Sequence, residues 1–205
     1  MQTFFVTGIS TDVGKTIASA IIVEALAADY WKPIQAGELE NSDSHKVASL
    51  ISNTKTVIHK NSYALKTPMS PHAAAAIDGV VIDIENIETP ETDNHLVIEG
   101  AGGLLVPLNN EDTILDIIMP SNKVVVVSRH YLGSINHTLL TVGWLQHKGY
   151  NVSIIFSGDE HKTTEEIILK KTGVTAIGRI NEEPVFDKAT IKKYAAQFKS
   201  ALLSL

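Results

Sequence analysis

Near the start of the chain stands Gly8-Ile9-Ser10-Thr11-Asp12-Val13-Gly14-Lys15-Thr16. Gly-Lys-Thr at the start of a helix is the ending of a phosphate-binding loop. Backbone N–H groups and the helix N-terminus take up phosphate oxygens, Lys15 reaches the β- and γ-phosphates, and the Thr16 hydroxyl ligates Mg²⁺. In the usual G-x-x-x-x-G-K-[ST] spacing the first glycine falls where Ile9 stands; here it comes one residue earlier, at Gly8, so the loop is a variant. A Mg·ATP site also needs carboxylates near the metal and further cations near the phosphoryl group in transfer. Glu99 closes the apolar run His95-Leu96-Val97-Ile98 and precedes Gly100-Ala101-Gly102-Gly103, so it is either a metal carboxylate at a strand end or a solvated glutamate before a flexible loop. Asp43, in Asn41-Ser42-Asp43-Ser44, has the spacing of a plain helix N-cap. Lys32, in Trp31-Lys32-Pro33-Ile34, is a lysine in an apolar strand, costly unless paired, or else a guard on a sheet edge. Leu132-Gly133-Ser134-Ile135-Asn136-His137 opens a helix and offers a second set of free N–H groups to an anion. His130 and His137 could be catalytic, but the 8 histidines are scattered with no H-E-x-x-H spacing, and most of them read as satisfied surface or core groups.

These residues must be held by an alternation of strands and helices. Strands are expected at Gln2–Thr7, Tyr30–Gln35, His95–Glu99, Lys123–Ser128, Val152–Phe156 and Thr175–Arg179. Helices are expected at Thr16–Ala28, Ser42–Ile51, Ile114–Met119, Ile135–His147, Thr163–Lys171 and Asp187–Leu203. Strands that are nearly continuous valine and isoleucine, with Val124–Val127 the clearest, indicate a parallel sheet buried on both faces. The fold class is therefore α/β, one parallel sheet with helices on both faces, of the P-loop NTPase type. Ligands of such sheets bind at the carboxyl ends of the strands. Tyr63–His72, with Pro68 and Pro71, reads as a loop covering something.

The 205 residues fit one domain, 1–205, long enough to bury a core. A net charge of −6 leaves no basic surplus for a phosphate backbone, which argues against a nucleic-acid binder. With no cysteine there is no disulfide framework, no thiolate zinc site and no thiol nucleophile. No apolar run approaches the ~18 residues of a membrane span, and Met1-Gln2-Thr3-Phe4 lacks the basic start of a signal peptide. A cytoplasmic setting without membrane partners is expected.

Several segments together resemble the dethiobiotin synthetases, ATP-dependent enzymes of biotin synthesis. They are Val6-Thr7-Gly8 through Thr16, Lys32-Pro33-Ile34-Gln35-Ala36-Gly37, Asn41-Ser42-Asp43, Ser70-Pro71-His72, Val97-Ile98-Glu99-Gly100-Ala101-Gly102-Gly103 with its continuation to Leu108, and Leu132-Gly133-Ser134-Ile135-Asn136-His137. They run in the family's order over residues 4 to about 145, and the last sixty residues match weakly. The resemblance implies 7,8-diaminononanoate, CO₂ and ATP as substrates. A carbamate would attack the γ-phosphate to give a carbamic–phosphoric anhydride, and the second amine would then close the ureido ring. It implies Lys15 and Lys32 as the cations between the two anions, Thr11 as a donor to the carbamate or amine end, and Mg²⁺ held by Thr16, Asp43 and Glu99. Nucleotide contacts would come from Asp12, Val13, Gly14, Lys15, Thr16, Ile17, Asp43, Glu99, Gly100, Ala101, Gly102, Gly158 and Glu182. The diamine would meet Thr11, Lys32 and Ala36, with its far carboxylate on Gly133, Ser134, Ile135 and Asn136 across a homodimer interface.

The chain departs from that pattern at three places. Ala36 stands where a hydroxyl residue is common, Ser157-Gly158-Asp159 where an asparagine reads adenine, and Ile180-Asn181 where an Ile-Pro segment lies by the ribose, leaving Glu182 or Glu183 for the ribose. The rival reading is a partition-type or MinD-like ATPase switch. Such switches carry a second lysine where this chain has Ser10, and an Asp-x-Pro-like turn where it has Glu99-Gly100-Ala101. An amidoligase of the cobyrinate type would need a nucleophilic cysteine.

Overall fold

The structure, a computed structural model, describes residues 1–205. Its first strand, β1 (Thr3–Gly8), is buried from Phe4 to Gly8 and forms the middle of a six-stranded sheet. Helix α1 (Lys15–Leu26) follows, then β2 (Asp29–Trp31), β3 (Ile34–Ala36), α2 (Asp43–Leu50), β4 (Tyr63–Leu65) and α3 (Pro71–Asp78). The second half contains β5 (Leu96–Gly103), β6 (Lys123–Arg129), α4 (Ser134–His147), β7 (Asn151–Ser157), α5 (Lys162–Thr172), β8 (Thr175–Ile180) and α6 (Lys188–Leu203). The central sheet has the order β2-β5-β1-β6-β7-β8, and every pairing in it is parallel.

Parallel strands need crossovers, and these cover the sheet. Helices α1, α2 and α6 pack on one another, while α4 packs on α5 and lies against β6 and β7. Because crossovers are right-handed, a chain that moves one way from β1 and then the other puts α4 and α5 on the face opposite α1. Both faces are therefore dry, and Val124–Val127 are all 0% exposed. The order reverses at β1, which places the loop after it at the crevice where open α/β sheets bind ligands.

Five expectations are corrected. The expected strand Tyr30–Gln35 is two strands in two sheets. Pro33 has no N–H for the ladder, so the chain leaves the central sheet after Trp31, and Ile34–Ala36 pairs instead with Tyr63–Leu65. The segment Tyr63–His72 is thus not all loop, since it supplies β4 and the first turn of α3, with Pro71 at the start of the helix. The strand expected to end at Glu99 runs on to Gly103, with a bulge against β1 between the Val6–Glu99 and Gly8–Gly103 pairs. Gly100 is needed there for packing, since a Cβ would lie 3.1 Å from Phe5 Cε1. Finally, α1 stops at Leu26, where Ala27 takes a left-handed cap, and Ile114–Ile117 is a 3₁₀ turn rather than a short α-helix.

Candidate active site

The loop from Ile9 to Gly14 carries the chain from β1 into α1. Gly14 caps the helix at φ 92 with no side chain on the first-turn amides, so those N–H groups and the positive end of the helix stay available to an anion. A Cβ at Gly14 would sit 3.0 Å from Ser157 Oγ in this left-handed conformation, which only glycine takes without strain. Lys15 folds back over the loop, its Nζ donating to Ser10 O at 3.0 Å. Burial pulls its pKa down, with Lys32 adding to the effect and Glu99, Asp43 and Asp12 opposing it. Val13 is buried at 1% exposure and can offer only backbone, whereas Thr11 and Asp12 are exposed at the mouth.

Glu99 is the centre of the arrangement. It is 0% exposed, so the solvated-glutamate reading fails. Its Oε1 accepts from Thr16 Oγ1 at 2.9 Å and from Lys32 Nζ at 3.1 Å, and its Oε2 accepts from Tyr30 Oη at 2.9 Å. Lys32, 4% exposed, also reaches Asp43 Oδ2 at 2.6 Å and the Gly100 carbonyl at 3.4 Å. Lys32 is therefore the paired lysine rather than the edge guard, although β2 is an edge strand. Burial disfavours the Lys32 ammonium, but the Glu99 and Asp43 charges together outweigh burial and raise its pKa. Burial likewise disfavours the Asp43 carboxylate, and Lys32, with help from Lys46 and Thr16, overcomes this and lowers its pKa.

The N-cap reading of Asp43 is also corrected. Ser42 caps α2, its Oγ accepting from His45 N while the His45 ring reaches back to Ser42 N. Asp43 is the first helical residue. Its backbone N–H donates to Gln35 Oε1 at 3.2 Å, and Gln35 Nε2 donates to Gly37 O. The start of α2 is thereby fixed against β3, and the Asp43 side chain is left for Lys32.

These groups line a cleft of about 1030 Å³. Its lining includes Thr11, Asp12, Gly14, Lys15, Thr16 and Ile17 from the loop and α1, and Lys32, Ala36, Asp43, Glu99, Ala101 and Gly102. Pro68–Pro71 also line it. Ser157, Gly158, Asn181 and Phe186 line it as well, with Glu182 ion-paired to Arg129. Glu183 accepts from Tyr194 Oη and Lys193 of α6, and Glu182 is the glutamate that lines the cleft.

Gly133, Ser134, Ile135 and Asn136 are not brought to this cleft. They start α4, where no side chain caps the helix; the Ser134 amide donates to Tyr131 O at 2.9 Å, and the segment lies beside exposed Leu132, Leu140 and Trp144. His130 bonds Glu165 and His137 bonds Tyr131, which supports reading both as ordinary groups. Tyr30, Gln35 and Arg129 were missed. Only Tyr30 left a signal, since residues two apart on a strand share a face and Tyr30 stands two before Lys32.

The donor set suits a hard cation. Thr16, Asp43 and Glu99 offer oxygen alone, and an ammonium already bridges the two carboxylates. No cluster of three or more histidine, cysteine, aspartate or glutamate side chains exists for a metal held by protein alone. Oxygen donors of this kind suit hard cations such as Mg²⁺, which keep several waters of their own.

A family model described as an AAA domain matches residues 2–190. The ATP-dependent dethiobiotin synthetase BioD of Christiangramia forsetii is 58% identical over 205 residues, covering 100% of this chain and 99% of that protein. The protein of the same name from Cytophaga hutchinsonii is 46% identical over 200 residues, covering 96% and 97%. Among solved structures, the MinC:MinD cell division protein complex of Aquifex aeolicus aligns with a TM-score of 0.61 at 18% identity, covering 100% of this chain and 97% of that one. A putative plasmid partition protein of Borrelia burgdorferi B31 aligns at 0.58 and 12% identity, covering 100% and 99%. The likeness to these two structures is one of fold alone.

The buried charges predict a pH signature. Lys32→Ala leaves Glu99 and Asp43 facing each other without their cation, which should cost about 3–5 kcal/mol near neutral pH. In the wild type the lowered Asp43 pKa gives stability that is present above the ordinary carboxylate range and lost as pH falls through the folded value. The raised Lys32 pKa gives stability that is full below the ordinary lysine range and lost as pH rises through the folded value. Urea unfolding of both proteins from pH 7 to pH 4 should therefore show the gap narrowing as the Lys32-dependent stabilisation of the Asp43 carboxylate is lost in acid. A gap that is constant with pH contradicts the pairing.

Proposed function

The chain belongs to the ATP-dependent dethiobiotin synthetases, P-loop enzymes of biotin biosynthesis, and we propose that the cleft around Lys32 is where 7,8-diaminononanoate, CO₂ and ATP react. One amine adds to CO₂, forming an N–C bond and losing a proton to give a carbamate. A carbamate oxygen then attacks the γ-phosphorus as the bond to ADP breaks. The second amine attacks the carbonyl carbon of the resulting anhydride, loses a proton and expels phosphate, which closes the five-membered ring. The observation that carries this reading is the Lys32 ammonium, buried between Asp43 and Glu99 on the side of the cleft facing the phosphate-binding loop.

Two anions must approach for the second step, and cations placed where charge builds lower that barrier. Lys15 and Lys32 serve that purpose. The free amides of Gly14–Ile17 orient the triphosphate, and Thr11 at the mouth donates to the carbamate. Thr16, Asp43 and Glu99 would hold Mg²⁺, which when bound neutralises charge on the β- and γ-phosphates. The backbone of Asp12, Val13 and Gly100–Gly102 packs around the nucleotide, and Gly158 and Glu182 receive the adenosine end. Ala36 leaves the diamine wall without a hydroxyl. The diamine's far carboxylate docks on the α4 amides of Gly133–Asn136 in a second subunit, so the working form is a homodimer with its sites at the interface. Leu132, Ile135, Leu140 and Trp144 give α4 the apolar surface such an interface needs. The enzyme acts in the cytoplasm on small molecules, without nucleic-acid or membrane partners, and no helix is long and apolar enough to cross a membrane.

The direct test is ADP release by purified protein. Release that requires both CO₂ and the diamine supports the reading, and release independent of the diamine overturns it in favour of a switch-type ATPase. Lys32→Ala should bind ATP normally and lose single-turnover rate by about 10²–10³, the usual cost of removing one oriented electrostatic group; an unchanged rate removes Lys32 from the chemistry. Glu99→Gln and Asp43→Asn should each raise the Mg²⁺ requirement roughly tenfold or more, and overlaid metal titrations would make both carboxylates structural. Gly158 has no side chain to read adenine, and one bidentate pair is worth ~1–3 kcal/mol. ATP, GTP and CTP should therefore support ring closure within roughly tenfold of one another in kcat/KM. A preference for ATP above about a thousandfold would reveal an adenine pocket.

A further inference from the structure

Tyr30 has no part in the chemistry above, yet its hydroxyl reaches the centre of the site. The side chain is 0% exposed, and its one hydrogen bond is the 2.9 Å donation to Glu99 Oε2. The other oxygen of Glu99 takes both Thr16 and Lys32. The carboxylate is thus divided, with Oε1 toward the cleft groups and Oε2 toward the sheet interior. Register explains the division. Tyr30 pairs with Val97 and Trp31 with Ile98, so Tyr30, Lys32 and Glu99 fall on one face of the sheet. The terminal torsion of a glutamate is broad, and without the phenol Glu99 could turn either oxygen to the cleft. A phenylalanine would fill the same apolar volume, so packing does not account for the hydroxyl.

We infer that Tyr30 is a positioning residue that holds the Glu99 carboxylate in one rotation, with Oε1 presented to Thr16 and to the divalent cation of the nucleotide. The inference rests on the reading of Glu99 as a metal ligand. Partners that orient a ligating carboxylate typically carry about 10–100-fold in metal affinity.

The test is Mn²⁺ binding to the protein·ADP complex, followed by electron paramagnetic resonance, in wild type, Tyr30→Phe, Glu99→Gln and the double variant, with melting curves alongside. Tyr30→Phe should weaken Mn²⁺ roughly tenfold in the wild-type background and not at all in the Glu99→Gln background, because its effect passes through that carboxylate. Equal weakening in both backgrounds, or a lower melting temperature with unchanged Mn²⁺ binding, overturns the inference and makes Tyr30 a packing residue. If Glu99→Gln weakens Mn²⁺ and Tyr30→Phe does not, the inference alone fails. If Glu99→Gln binds Mn²⁺ like wild type, the metal reading of Glu99 fails and takes the inference with it.

Discussion

The nucleotide side of this molecule is built around one carboxylate that water does not reach. Glu99 lies mid-strand in β5, between β1 and β2, at 0% exposure. An ionised carboxylate in such a place is tolerated only if paired and fully hydrogen-bonded. The fold supplies three donors from two directions, Tyr30 and Lys32 from the β2 edge and Thr16 from the first turn of α1. Meeting this one demand ties the phosphate-binding helix to the sheet edge. Through the Lys32–Asp43 contact it also joins the first residue of α2 to the same centre.

The same demand explains why the cleft is polar at its floor although the sheet on either side is dry. Two lysines and two carboxylates, Lys15 and Lys32 with Asp43 and Glu99, lie within one another's electrostatic reach. The free protein holds them in near balance. On the proposed mechanism, anions entering between the lysines would meet cations already desolvated and oriented, so little reorganisation would remain at the moment of reaction. Gln35, bonded to the backbone of both Asp43 and Gly37, ties β3 to the start of α2.

Much of this was legible in the sequence where the signal is local. A phosphate-binding loop is a run of consecutive residues whose glycine and lysine serve the ligand through backbone and helix end, so Gly14-Lys15-Thr16 could be read directly. The buried valine strands and their alternation with helices were legible for the same reason. Lys32 could be seen to need a partner but not which, because Glu99 is 67 positions away and the contact depends on the β2–β5 register. Glycines after Glu99 suggested a turn, whereas tertiary packing of Phe5 keeps Gly100 in the strand. Asp43 looked like a cap because Ser42 and Asp43 are both good capping residues and only geometry chooses between them. Glu182 and Glu183 were indistinguishable until Tyr194 and Lys193 claimed one of them. The α4 amides were expected to receive an anion, but a single chain does not bring Gly133–Asn136 to the cleft.

The account stands most directly on where the Lys32 ammonium goes when the anions arrive. A crystal structure of the protein with Mg²⁺, a non-hydrolysable ATP analogue and the carbamate of the diamine measures this as a distance. Lys32 Nζ should lie within hydrogen-bond reach of both the carbamate and a γ-phosphate oxygen, having given up the short contact to Asp43 seen in the free chain. If Nζ is still held between Asp43 and Glu99, with the carbamate and γ-phosphate meeting elsewhere in the cleft, Lys32 is a structural counter-ion and the account is wrong.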